Sequence, residues 1–280
     1  MTISPNPSSP ESSGQWSGAS GQAAAPPANV QAGASCAYTY RGESTGLWQR
    51  LSWNAGRTLS RVASMLVFRL HVRGQGGMPK TGGVLMVTNH QSFLDPWLIA
   101  IAPSRQIHFM ARDTLFKGNW LHWLMELWNA FPVKRGSADL GAIRAAVERL
   151  DKGFVVNIFP EGTRSEDGSV GPVAPGMSII LNRCKTEVPI VPVLIDGAYD
   201  AWPRNAKVPR ARPIRIDYGK PIMPAEWKAL SAEELAWRIR RELVGLQEQL
   251  GSVHAGESRR RLEEDWAKAA AEPVKKRRGR

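Results

Sequence analysis

The chain has 280 residues, a net charge of +12 and a pI near 10.1. That length holds one large domain or two small ones around a real hydrophobic core, and the basic excess predicts an anionic partner: a membrane surface, a nucleic acid or a phosphorylated substrate. The composition argues against a spanning protein, a secreted one and a zinc module. No window approaches the ~20 consecutive apolar residues of a membrane-crossing helix; the N-terminus lacks the basic start and apolar core of a secretory signal; and Cys36 and Cys184 form no CxxC and have no histidine at metal spacing, which predicts two free thiols in a reducing compartment and no metal site.

Residues 1–45 are rich in Ser, Gly, Pro, Ala and Gln and carry few charges. Such a segment has too little apolar surface to repay the entropy of ordering, so it reads as a disordered leader. A folded block follows over 46–251, and 252–280 form a charged tail whose first half suits a helix and whose end, "KKRRGR", is a solvated basic terminus. The block opens with an amphipathic helix within 46–72, either continuous or two pieces joined at Gly56. Trp48, Leu51, Ala55, Leu59, Val62, Leu66 and Leu70 share one face, with Arg50, Arg57 and Arg61 opposite. Two environments suit that stripe, a protein core and a membrane interface.

Short apolar runs then alternate with helical ones. "GVLMVTN" predicts a buried strand, "DPWLIAIA" a helix, "QIHFMAR" a strand and "NWLHWLMELWNAF" a helix apolar all round. "LGAIRAAVERLDKG" is an amphipathic helix ending at Gly153; "FVVNIFP", "VPIVPVLIDGA" and "PIRIDYG" are strands. The last helix, "SAEELAWRIRRELVGLQEQL", opens with a capping box, Ser231 and Glu234, and lines up Leu235, Ile239, Leu243, Leu246 and Leu250. Continuously apolar strands alternating with helices predict an α/β fold: a mixed, largely parallel sheet flanked by helices.

Sites in such sheets form beyond the carboxyl ends of strands. Asn89-His90 leaves one such end and Pro160–Arg164 another. His90 and Asp95 lie five apart, a spacing that points them apart on a continuous helix, so they meet only if a turn through Gln91 and Ser92 intervenes. The carboxylate would then fix one imidazole nitrogen and leave the other basic. The alternative is a helix cap beside a polar turn. No GxSxG elbow supplies a nucleophile and neither cysteine adjoins a motif, so the hydroxyl that a His90 base would activate belongs to the substrate. In "FPEGTRS", amides near Gly162, the Thr163 hydroxyl and Arg164 suit a phosphate, and Glu161 suits an acceptor hydroxyl or pairing with Arg164; Arg135 is a second phosphate candidate.

"NHQSFLD", "FPVKR", "FPEGTRS" and "VPIVPVLI" together resemble the four ordered blocks of the glycerolipid acyltransferase family, and among its members the 1-acylglycerol-3-phosphate acyltransferases. The likeness runs from about Gly74 to Tyr218. It implies that 46–251 is an acyltransferase domain moving a fatty acyl group from a thioester donor to lysophosphatidic acid in phospholipid biosynthesis. Under that resemblance His90 is the base and Asp95 its orienter, while Arg135, Glu161, Gly162, Thr163 and Arg164 bind the acceptor's phosphate and glycerol parts. Lys134 stands where relatives often carry an acid, which favours an anionic head group.

No bound cofactor is implied; an acyl-CoA or acyl carrier protein thioester is the co-substrate. The expected partners are a lysophospholipid, an anionic membrane surface and, as a further candidate, the acyl carrier protein, with no specific nucleic acid. The expected location is peripheral or monotopic at the cytoplasmic face of a membrane; Trp120, Trp123 and Trp128 suit that interface, and equally a buried core helix or the lining of an acyl groove. The alternatives are another glycerolipid or lyso-lipid acceptor, or a non-catalytic membrane-associated protein of the same fold.

Overall fold

Val84–Thr88, Val155–Ile158 and Ile190–Asp196 are buried at every residue, and they form the centre of a sheet covered on both faces. The computed structural model describes residues 47–103, 105–112, 130–133 and 140–271. Its strands are β1 (His71–Arg73), β2 (Val84–Thr88), β3 (Ile107–Arg112), β4 (Ala130–Val133), β5 (Val155–Ile158), β6 (Ile190–Asp196) and β7 (Arg215–Tyr218), in the order β1-β7-β6-β2-β5-β3-β4. Neighbours are parallel except β6 and β7, which run antiparallel. The mixed, largely parallel sheet expected from the apolar runs is present.

Alternation along each strand divides the core in two. Leu85 and Val87 of β2 with Ile190 and Leu194 of β6 face one side. There they meet α3 (Leu140–Asp151), α4 (Met177–Leu181) and α7 (Ala232–Gln249). Val84, Met86, Val191 and Ile195 face the other side, against α2 (Asp95–Ile101) and α5 (Ala198–Ala201). Full burial of each large aliphatic side chain contributes about 1.5–3 kcal/mol. A short helix, α6 (Pro224–Trp227), precedes α7. The capping box at Ser231 forms: the Glu234 amide donates to its hydroxyl at 3.2 Å and the Ser231 amide to Glu234 Oε2 at 2.8 Å.

Four details refine or correct the sequence reading. The first helix, α1 (Leu47–Phe68), is continuous through Gly56 and stops four residues short of position 72. Arg69 takes a positive φ of 46°, which ends the helix, and His71–Arg73 pair with β7 instead. Its apolar stripe faces outward: Leu59 is 71% and Leu66 78% exposed, whereas Ser64 and Phe68 are buried and Arg57 donates to the Pro103 carbonyl at 2.7 Å. Ala130 and Phe131, read as the end of a helix, belong to β4, because β3 offers them an open edge to pair with; the rest of that tryptophan-rich stretch lies outside the described residues. Past position 251 the chain forms α8 (Ala255–Ala271), which packs on α7; Arg240 Nη1 donates to Asp265 at 2.8 Å across the pair. The leader and the final "KKRRGR" also lie outside the described residues.

Candidate active site

β2 lies between β5 and β6, with Val87 opposite both Ile158 and Pro192. The two polar motifs therefore leave adjacent parallel strands at the same edge of the sheet. Asn89, fully buried, extends the β2–β6 ladder with its side chain: Nδ2 donates to the Ile195 carbonyl at 2.9 Å and Oδ1 accepts from the Ile195 amide at 2.7 Å. That two-bond clamp fixes the backbone one residue before His90.

The chain then turns through Gln91–Leu94 before α2 begins at Asp95, with Pro96 tolerated in the first turn. Asp95 is fully buried. Its Oδ2 accepts from the Gln91 amide at 2.6 Å, the Ser92 amide at 2.7 Å and His90 Nδ1 at 2.7 Å. One carboxylate oxygen thus holds the turn and the imidazole together; the ring-orienting alternative is the one seen, since the start of α2 has no side-chain cap. A carboxylate only accepts, so Nδ1 carries the hydrogen and Nε2 is the nitrogen able to take a proton. The ring is packed against Phe159, centroids 4.4 Å apart and 25° from parallel. Its side chain keeps 20% of its surface exposed, which gives a substrate access.

The "FPEGTRS" loop is tied to the histidine backbone. The Ser165 amide donates to the His90 carbonyl at 2.7 Å, and the His90 amide approaches Glu161 Oε1 at 3.4 Å. Glu161 also accepts from the Gly171 amide. Burial pushes its carboxyl up to about 8, against the pull of those two amides, and the Asp95 charge pushes the same way. Glu161 therefore joins the two motif loops by their backbones. Gly162 takes φ +70° in the turn after it, with open space where a Cβ would stand, and Gly162 and Thr163 are exposed. The Arg164 guanidinium lies 3.6 Å above the Phe93 ring, which itself is 55% exposed and rests against Trp202. His90, Asp95, Glu161, Gly162, Thr163 and Arg164 thus gather at one edge of the sheet, whereas Arg135 lies outside the described residues.

Sequence reasoning missed the polar wall behind the loop. The Gly168 carbonyl accepts from Gln91 Nε2 at 2.7 Å and from Gln247 Nε2 of α7 at 3.1 Å. Ser258 of α8 donates to Gln247 Oε1 at 2.5 Å and accepts from the Val170 amide at 2.9 Å. Arg261 reaches Asp167 at 2.6 Å. A glutamine on an apolar stripe was the only signal available.

One edge of the sheet presents an oriented His–Asp pair beside a glycine-containing loop, and the acyltransferase family profile matches residues 69–196. The matched residues make up less than half of the chain. The chain is 29% identical over 55% of its length to the chloroplastic 1-acyl-sn-glycerol-3-phosphate acyltransferase of Brassica napus, and 28% over 55% to that of Arabidopsis thaliana. It covers 45% and 44% of those two proteins, less than half their length. The Bacillus subtilis 1-acyl-sn-glycerol-3-phosphate acyltransferase is 26% identical over 58% of the chain and 78% of its own length. Among solved structures, the 1-acyl-sn-glycerophosphate acyltransferase PlsC of Thermotoga maritima superposes with a TM-score of 0.62 at 28% identity, over 71% of this chain and 79% of that one. The expected fold is found, and the matching profile and relatives are of the expected kind; α7 and α8, which supply side chains of the polar wall, fall outside the profile match.

Proposed function

We propose that the chain transfers a fatty acyl group from a thioester to the free hydroxyl of 1-acylglycerol-3-phosphate, forming phosphatidic acid. The observation that carries this reading is the 2.7 Å contact between His90 Nδ1 and a fully buried Asp95, in a ring that stays partly open to solvent. His90 Nε2 takes the proton of the acceptor hydroxyl as its oxygen attacks the thioester carbonyl. The tetrahedral intermediate collapses, the C–S bond breaks, and the imidazolium returns the proton to the departing thiolate. Asp95 stabilises the imidazolium between the two transfers. Arg164, Thr163 and the amides around Gly162, together with Arg135, take the acceptor's phosphate, and Glu161 holds their loop against the histidine. The donor is an acyl-CoA or an acyl carrier protein thioester.

The acceptor lives in a bilayer, so the site works at a membrane surface. No helix among the described residues is long and apolar enough to cross a membrane. The outward apolar face of α1, with Leu59, Val62, Met65 and Leu66 exposed, supports peripheral, monotopic attachment. The test is transfer from a labelled thioester to lysophosphatidic acid presented in vesicles, with a lyso-lipid lacking the phosphate monoester in parallel. Transfer to the first alone supports the reading. Equal transfer to both removes the phosphate assignment, and transfer to neither removes the reaction.

A further inference from the structure

β6 belongs to the fourth block, yet all seven of its residues are buried, so the strand itself offers nothing for a water-borne donor to touch. What it delivers is the segment after it. Between Asp200 and Asp217 the chain carries no acid and five bases, Arg204, Lys207, Arg210, Arg212 and Arg215. Arg215 pairs with Asp196 at 2.6 Å. The other four are exposed and have no acidic partner among the described residues.

This loop is joined to the site. Ser92 Oγ donates to the Trp202 carbonyl at 2.8 Å, and the Trp202 ring lies 5.7 Å from that of Phe93, on which Arg164 rests. It is also held in shape. Trp202 Nε1 donates to the Ala206 carbonyl at 3.0 Å, the Ala206 amide to Pro203 at 3.1 Å and the Arg210 amide to Ala201 at 2.7 Å, while Pro203, Pro209 and Pro213 restrict the backbone. A preorganised cluster of cations suits a compact polyanion, because little ordering is left to offset binding. A bilayer rewards apolar insertion, and here Val208 is the sole exposed large hydrophobic side chain; the exposed apolar stripe is on α1 instead.

We propose that the loop 203–213 is the docking site for the phosphate end of the pantetheine thioester donor: the phosphates of CoA, or the phosphodiester by which pantetheine is joined to its carrier protein. This rests on the thioester-transfer reading above. Arg204, Lys207, Arg210 and Arg212 hold the anionic end at the rim while the arm runs past Phe93 to His90.

The test is binding of CoA to the full chain by calorimetry, comparing the wild type with an Arg210→Ala/Arg212→Ala variant. Arg183→Ala, which removes an exposed charge elsewhere, is the control. A holo acyl carrier protein is titrated in a second arm, and transfer from acyl-CoA and from a phosphate-free acyl-pantetheine is measured alongside. Loss of two exposed charge contacts is expected to weaken binding by about five- to thirtyfold. Transfer from acyl-pantetheine and the melting temperature should stay unchanged. Weakening confined to one arm names the source of the phosphate. Unchanged affinity for both donors overturns the proposal, as does loss of anionic-vesicle binding with donor affinity intact, which assigns the loop to lipid. Binding that depends on the loop without any turnover by the wild type removes the transfer reaction and leaves the docking site standing.

Discussion

Gln91 and Gln247, one in the turn beside His90 and the other on the penultimate described helix, donate to the same Gly168 carbonyl oxygen. The two bonds connect the first motif loop, the third motif loop and the C-terminal helix pair through a single buried atom. Gln247→Leu removes one donor and strands the Ser258 hydroxyl that bonds it. The expected cost is about 1–3 kcal/mol in urea unfolding. A rise in acceptor KM larger than the fall in kcat is also expected, because the loop that Glu161 and Ser165 tie to His90 loses its backing. Ser258→Thr, which keeps the hydroxyl, should restore most of the KM, unlike Ser258→Ala.

Gly168 must stay a glycine for two reasons. Its φ is +83°, and a Cβ there would lie 2.8 Å from the His254 ring. Gly162 has a similar φ of +70° but open space where a Cβ would go. Gly168→Ala should therefore cost more than about 2 kcal/mol, and Gly162→Ala about 1 kcal/mol. Thermal unfolding of the two variants measures the difference. Equal losses would mean that the His254 contact yields freely.

Glu161 gives stability a pH dependence of definite sign. Its carboxyl titrates near 4.5 when unfolded and is pushed up to about 8 by burial. Between those values the folded state binds the extra proton, so stability falls as pH rises from about 4.5 through about 8. Glu161→Gln removes that slope. Its melting temperature relative to the wild type should climb with pH across the window and level off above it. His108 acts at the other end: burial, aided by the Arg149 charge, holds its imidazole down at about 3, so stability also falls as pH drops below about 6.5. A difference between Glu161→Gln and wild type that does not change from pH 5 to pH 8 would contradict the burial of the Glu161 charge.

The outer face of α1 makes a prediction opposite to that for a core helix. Leu59→Ser and Leu66→Ser should each change stability by less than about 0.5 kcal/mol, because neither side chain packs on the domain. Co-sedimentation with anionic vesicles should fall. A marked drop in melting temperature would mean that the stripe is covered in solution.

The sheet centre was legible because β2, β5 and β6 are buried on both faces and so read as unbroken apolar runs. The capping box at Ser231 was legible because both of its partners lie within four residues. The His90–Asp95 spacing allowed a contact only through a turn and left a helix cap as the alternative; the resemblance of the four blocks, not the spacing, favoured the contact that forms. What stayed hidden was set by distant partners. β1 and β4 are edge strands of three and four residues whose existence depends on β7 and β3. The direction of the α1 stripe cannot be read from periodicity, which is the same for a helix facing a core and one facing away. Glu161 looked like a residue for substrate; its carboxyl bonds to the amides of His90 and Gly171, which only the fold brings near. Gln247 showed only as a glutamine on an apolar stripe, and Ser258 gave no pattern.

The central claim is that His90 Nε2 is the base and that Asp95 keeps it so. The direct measurement is kcat for acyl transfer from a labelled thioester to lysophosphatidic acid by the wild type, His90→Ala and Asp95→Asn, each first shown to be folded. The account predicts near-complete loss in His90→Ala and a fall of about 10²–10⁴ in Asp95→Asn. Transfer that survives His90→Ala in a folded protein would contradict it.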